Sequence, residues 1–170
     1  MFKQLHAACV AKAPQFLRHP AKLMPFRAKQ QLLLPLLNRL FAEAIEEGDL
    51  DFLSDRWLKL EVTDLDVVHY ISFVDNALVM AEQVPQFDVS FSANTNDLIL
   101  VAGRKEDPDT LFFQRRLRIE GDTELGLELK NLMDNIDWQA MPSYMSWPLV
   151  KLSGFVEQGM AHQQSKAMAL

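Results

Sequence analysis

Four histidines, one cysteine and several paired carboxylates are the side chains of this 170-residue chain with chemistry to offer. Metal binding by a helix wants two histidines a turn apart, yet His6, His19, His69 and His162 fall in four separate stretches. Cys9 has only Lys12 as a basic neighbour in sequence, so a small apolar role suits it better than a nucleophilic one. Asp64/Asp66 and Asp107/Asp109 sit among turn-forming residues, where carboxylates cap helices and close loops. No Gly-x-Ser-x-Gly elbow and no Walker pattern occurs. The chain is therefore expected to have no catalytic residues of its own, no metal site and no cofactor.

Clustered arginines raise the possibility of a phosphate site. In "FFQRRLRIEGDTELGLELKNLMD", residues 112 to 134, three arginines crowd beside Gly121. A phosphate cradle needs several glycines presenting N–H groups, and only Gly121 and Gly126 are here, flanked by repelling Asp122 and Glu124. Leu117 and Ile119 alternate with Arg116, Arg118 and Glu120, so the expectation is a strand with a solvated basic face. Gly121 then turns the chain, Asp122 or Thr123 caps, and Leu125, Leu129, Leu132, Met133 and Ile136 form a helical stripe.

The elements around it follow the same two periods. "WLKLEVTD" alternates as a half-buried strand. "DVVHYISFVDNALVMAE" reads as two strands joined at Asp75-Asn76. "FDVSFSA" places Phe87, Val89 and Phe91 on one face. A short helix is expected from Asn94 or Thr95 to Gly103, and another after the Asp107 cap with Pro108 at its first position. The sum is an α+β fold. Facing sides of its strands and of the helix after Gly121 imply an apolar tunnel lined by Phe73, Phe87, Phe91, Leu98, Leu111, Phe112, Leu117 and Met133.

Charge divides the chain unevenly. Residues 1–42 carry seven cations and no acidic residue, a charge of +7, against ten basic and 23 acidic residues in the remainder, a charge of −13. Leu33, Leu36, Leu37, Leu40, Phe41 and Ala44 repeat at helical spacing, while Leu32 and Leu34 widen the apolar surface beyond one contact. Pro14 and Pro35 are expected to kink or split these helices, and Gly48 to end the second. Two readings fit: an interfacial arm whose Lys12, Arg18, Lys22, Arg27 and Lys29 meet an anionic membrane, or a helical hairpin that only caps the core. Nucleic acid is not the expected partner. The C-terminal "WQAMPSYMSWPLVKLSGFVEQGM" offers Trp138, Met141, Tyr144, Met145, Trp147, Leu149, Leu152 and Phe155, fitted to core packing, to closing a tunnel, or to docking a partner as a scaffold. A single cysteine allows no internal disulfide, and no segment reads as a signal peptide or membrane span, so a cytoplasmic protein is expected.

The order of these parts resembles the sterol carrier protein type two (SCP2) family: strand, hairpin, "FDVSFSA", a helix ending in Gly-Arg-Lys, then "DPDTLFFQRRLRIEGDTELGLELKNLMD". That resemblance implies a mixed sheet of about five strands covered by helices, enclosing an apolar lipid tunnel. It spans roughly residues 50–137, and this chain has Gln114-Arg115-Arg116 where the family often has a glycine before the basic strand. "FLSDRW" and "RKEDPDTLFFQRRLRIEGDTELGL" are similar to a narrower bacterial family, the UbiT-like accessory factors of ubiquinone biosynthesis. That likeness implies work in the oxygen-independent route beside the iron–sulfur proteins UbiU and UbiV, with lipid or isoprenoid quinone intermediates as ligand. The organisation expected is a basic helical extension over 1–48, an SCP2-like lipid-binding domain over 49–137 and a C-terminal helix over 138–170.

Overall fold

In the computed structural model, which describes residues 2–134 and 143–167, two long helices come first. α1 runs Phe2–Leu23 and α2 Phe26–Leu40, with Pro25 starting the second. Neither Pro14 nor Pro20 breaks α1, and Pro35 lies inside an unbroken α2. A proline inside a helix loses one backbone bond and crowds the preceding turn, a cost that tertiary packing can offset. Pro14 is itself buried. The break falls instead at Phe41, before α3 (Ala42–Glu47), and Gly48 closes that helix at φ +82°.

A single turn of 3-10 helix, Asp51–Leu53, leads into the sheet. Its strands are β1 (Leu58–Val62), β2 (Val67–Val74), β3 (Ala77–Ala81), β4 (Val89–Ala93) and β5 (Leu117–Gly121), in the spatial order β3-β2-β1-β4-β5. β1 and β4 are parallel and the other pairs antiparallel, so the sheet is mixed. The β2–β3 turn is Asp75-Asn76, both residues at positive φ, the tight hairpin geometry that suits right-twisted strands. Between β4 and β5 come α4 (Thr95–Ala102) and α5 (Pro108–Phe113), followed after the sheet by α6 (Thr123–Asp134) and α7 (Ser143–Ala167).

Local caps set these elements. Asp107 accepts the Thr110 N–H at 3.0 Å, with Pro108 beginning α5. Asp122 accepts the N–H groups of Glu124 and Leu125, opening α6. α4 is capped from a distance: Asp64 Oδ1 accepts both the N–H and the hydroxyl of Thr95. Gly103 is not the left-handed residue that ends α4, since Arg104 takes that role at φ +54°. Gly103 is required because Ser153 of α7 lies 2.1 Å from where its Cβ would stand.

Two apolar clusters result. The larger lies on one face of the sheet under α5, α6 and the 3-10 turn, with Leu53, Leu111, Leu125, Leu129 and Leu132 buried against it. The smaller joins Val10, Leu100 and Val156, tying α1, α4 and α7 together. There Gly159 lets α7 approach α1 so closely that a Cβ would meet Val10 Cγ2 at 2.4 Å.

Gly121 is the residue at which β5 depends on having no side chain. Its φ is +117°, and a Cβ would lie 2.5 Å from the Asp88 carbonyl oxygen. Backbone strain of about 1–3 kcal/mol and a comparable clash with main chain add here. Gly121→Ala is expected to cost at least about 2 kcal/mol, read from the urea midpoint at constant m-value.

Candidate functional site

The inner face of the sheet is built by alternation. Leu58 stands beside Ile71 and Val89, and Leu60 beside His69 and Phe91, whose own neighbour is Ile119. Phe73 pairs with Leu78, and Ala93 with Leu117. Because directly paired residues share a face, one apolar surface runs across all five strands, interrupted by a single imidazole.

Of the residues expected to line a tunnel, Phe73, Phe91, Leu111 and Leu117 are buried in this cluster, and Leu98 and Met133 pack against it. Phe87 and Phe112 lie elsewhere. Phe87 is 42% exposed, with its ring 6.2 Å from Tyr70 and Lys59 Nζ 5.7 Å from its centroid. Its alternation with Val89 and Phe91 is broken just before β4, where the N–H groups of Asp88 and Val89 both point to the Trp57 carbonyl. An extra residue opposing one partner shifts everything before it to another face. The Asp88 carboxylate holds that bend by accepting the Trp57 N–H at 2.8 Å. Phe112 lies in a shallow outer groove with Ile119, Gly126 and Leu127, its ring edge-on to Phe113.

α2 roofs the β3 edge. Phe26, Leu33, Leu34 and Leu37 pack against the inner cluster, continued by Phe41, Ala44 and Ile45, yet no residue of α2 is fully buried. The apolar stripe therefore includes Leu34, while Leu32 and Leu36 face outward. Polar side chains fasten the helix to the open strand edge. Asn38 Oδ1 accepts the Leu78 N–H at 2.9 Å, Asn38 Nδ2 donates to the Leu78 carbonyl, and Gln30 Nε2 donates to the Met80 carbonyl at 3.2 Å. Those edge groups would otherwise invite another strand. Helical spacing of Gln30 and Asn38, eight apart, is the sequence signal for this clamp, and it looks like any polar flank.

His69 is the polar exception on the inner face. Burial lowers its pKa from the ordinary 6.5; Lys29 adds to the lowering and Glu82 opposes it. A folded pKa below the unfolded one means that the unfolded chain takes up the proton first as pH falls. Stability contributed by the neutral ring is therefore complete above about pH 6.5 and is lost on acidification below it. Urea midpoints between pH 7.5 and pH 5 should fall more steeply for the parent than for His69→Phe.

The arginine face differs from the sequence expectation. Arg118 is exposed, but Arg116 donates through Nε at 3.1 Å and through Nη2 to Asp97 Oδ1, a carboxylate that is only 4% exposed. Arg115 takes φ +61° at the end of α5, where a glycine would be easier, and that turn aims Arg116 at α4. Nineteen residues separate Asp97 from Arg116, so no local period reveals the pair.

On the basic arm, Arg18 and Lys22 both bond Asp66, whose carboxyl is held below its ordinary value by the hydrogen bond from Lys22 and then that from Arg18. Lys12 and Arg27 are exposed and Lys29 is half-buried. α1 leaves Leu5, Phe16 and Leu23 exposed, spaced by eleven and seven residues and thus on one side of the helix. Phe26 packs inward instead. α7 leaves Tyr144, Trp147, Val150, Leu152 and Phe155 exposed. Ile136, Trp138 and Met141 lie outside the described residues, as does the side chain of Met145. Among the described residues no group of three or more His, Cys, Asp or Glu side chains is placed to hold a metal. None of their helices is long and apolar enough to cross a membrane.

A mixed five-stranded sheet with one continuous apolar face, covered by helices, defines an α+β class of fold. The chain belongs to the SCP-2 sterol transfer family, whose model matches residues 36–134. It is 48% identical over 160 residues to the ubiquinone biosynthesis accessory factor UbiT of Escherichia coli (strain K12), covering 94% of this chain and 91% of that protein. The same figures hold for UbiT of Escherichia coli O157:H7. Among solved structures, the UbiJ-SCP2 ubiquinone synthesis protein aligns with a TM-score of 0.53 at 18% identity, over 69% of this chain and 100% of that one. At that identity the likeness is one of fold.

Proposed function

We propose that this protein is a non-catalytic, lipid-binding accessory factor of ubiquinone biosynthesis. It holds a lipid or an isoprenoid quinone intermediate against the inner face of its sheet. The observation that carries this reading is the apolar surface that crosses all five strands, whose β3 side lies beneath α2, a helix with no fully buried residue. A roof fastened by two edge amides and partly buried leucines can part from the sheet without dismantling the core beneath α5 and α6. Each CH₂ of a ligand chain taken up there contributes about 0.8 kcal/mol, so a short run of them suffices for useful affinity. The pathway is carried over from the name of the 48% identical relative. The same proposal places the protein in the oxygen-independent route, with UbiU- and UbiV-like partners.

Residues 1–48 act as a basic arm, 49–137 as the lipid-binding domain and 138–170 as a C-terminal segment packing on the domain, its described part α7 lying against α1 and α4. Lys12, Arg18, Lys22, Arg27 and Lys29 hold the protein peripherally on an anionic membrane in the cytoplasm, where a greasy ligand can pass without crossing water. The lining draws on Phe73, Phe91, Leu98, Leu111, Leu117 and Met133, while Phe87, on the opposite face, and Phe112, in the outer groove, lie outside it. A scaffold role draws on one observation, the exposure of Tyr144 (74%) and Trp147 (66%) on α7.

Organic extraction of protein purified without detergent, followed by mass spectrometry, separates the two. Stoichiometric lipid or prenylated phenol in the extract is expected. A clean extract, together with no uptake of added lipid, would leave the scaffold reading standing alone.

A further inference from the structure

Among the described residues, the one polar side chain on the inner face of the sheet has no hydrogen-bond partner. His69 is 5% exposed and stands opposite Leu60 in the β1–β2 register. Neither of its ring nitrogens has a hydrogen-bond partner among the described residues. The Phe26 ring of α2 lies 5.9 Å away, tilted by 48°. Buried nitrogens left bare are costly, and each one in a folded protein calls for an explanation such as a functional role. The charged groups acting on the ring are Lys29 from α2 and Glu82 from just beyond β3, opposite in sign.

We propose that His69 is the polar anchor of the lipid site, hydrogen-bonding the hydroxyl or carbonyl oxygen on a neutral aromatic or quinonoid head that lies beside Phe26. A neutral imidazole presents one N–H donor and one bare acceptor, which a phenol, itself donor and acceptor, can match. An anionic head suits the place poorly, because Lys29 is offset by Glu82 and an unpaired buried charge is far costlier than a buried hydroxyl. A purely apolar ligand would leave both nitrogens bare. This assignment rests on the lipid-binding reading and names the head group that such a site selects.

Two ligands that differ by one hydroxyl test it: 4-dodecylphenol and dodecylbenzene, each displacing a pyrene-labelled alkyl chain from the full-length protein. The parent should prefer the phenol by roughly threefold to tenfold, the value of one net hydrogen bond. His69→Phe should bind both equally, and His69→Gln, which keeps a donor and an acceptor, should retain part of the preference. Nitrogen-15 resonances of the His69 ring should shift with the phenol and not with dodecylbenzene. If dodecylbenzene binds but the parent shows no preference, or His69→Phe keeps the parent's preference, the anchor falls and lipid binding stands. If the folded parent takes up neither ligand, both readings fall together.

Discussion

Changing Lys12, Arg18, Lys22, Arg27 and Lys29 together to glutamine is expected to abolish flotation of the protein with anionic vesicles at low salt, leaving its circular dichroism unchanged. Each cation near such a surface contributes about 1 kcal/mol, and not all five reach it together, so the loss should amount to several kcal/mol at most. Added salt should mimic the variant in the parent, as screening demands. The structure refines the design, because Asp66 bonds both Arg18 and Lys22 and competes with lipid phosphate for them. Asp66→Asn should therefore strengthen flotation. In the proposed membrane contact, apolar insertion would come from Leu5, Phe16 and Leu23 on α1, with Leu32 and Leu36 on α2, all of them exposed. If the fivefold variant floats as well as the parent, the arm is a lid over the sheet and nothing more.

The second large effect concerns stability. Asp97 is buried in the first turn of α4, where the helix dipole favours an acid, and Arg116 supplies its counter-charge. Taking away one partner of such a pair strands the other in a place from which water is excluded. Arg116→Met is expected to lose about 3 kcal/mol, the low end of the range for breaking a buried pair, since the arginine is itself 23% exposed. Asp97→Asn in the same chain should recover most of that loss. Urea denaturation of the two single variants and the double completes the cycle, and additive losses would mean that the two groups do not act as a pair. Asp97→Asn alone should cost less, because the stranded guanidinium can still reach water, Gln114 and Glu106.

Much of the fold was legible because two periods carry it. Leu58 and Leu60, Ile71 and Phe73, and Leu117 and Ile119 alternate with polar residues, and a strand half-buried in a sheet demands just that. Leu125, Leu129 and Leu132 recur at helical spacing after the Asp122 cap. Period alone therefore placed Phe73, Phe91, Leu111, Leu117, Leu98 and Met133 in or against one cluster. It failed at Phe87, where two N–H groups share the Trp57 carbonyl and the count slips by one residue. Proline's usual effect misled at Pro14, whose burial lets α1 run on through a residue that breaks isolated helices.

Sequence by itself thus determined the elements, their apolar faces and the segregation of charge onto residues 1–42, since each depends on neighbours a few positions away. Only the tertiary structure decided which polar groups are satisfied. Arg116 is paired with Asp97 rather than solvated, Asn38 closes the edge of β3, Asp66 holds two cations of the arm, and the His69 ring nitrogens have no hydrogen-bond partner among the described residues. A hydrogen bond or its absence is a matter of ångströms between chain segments tens of residues apart. No repeat along the chain encodes it, and the folded packing alone brings those segments together or keeps a nitrogen bare.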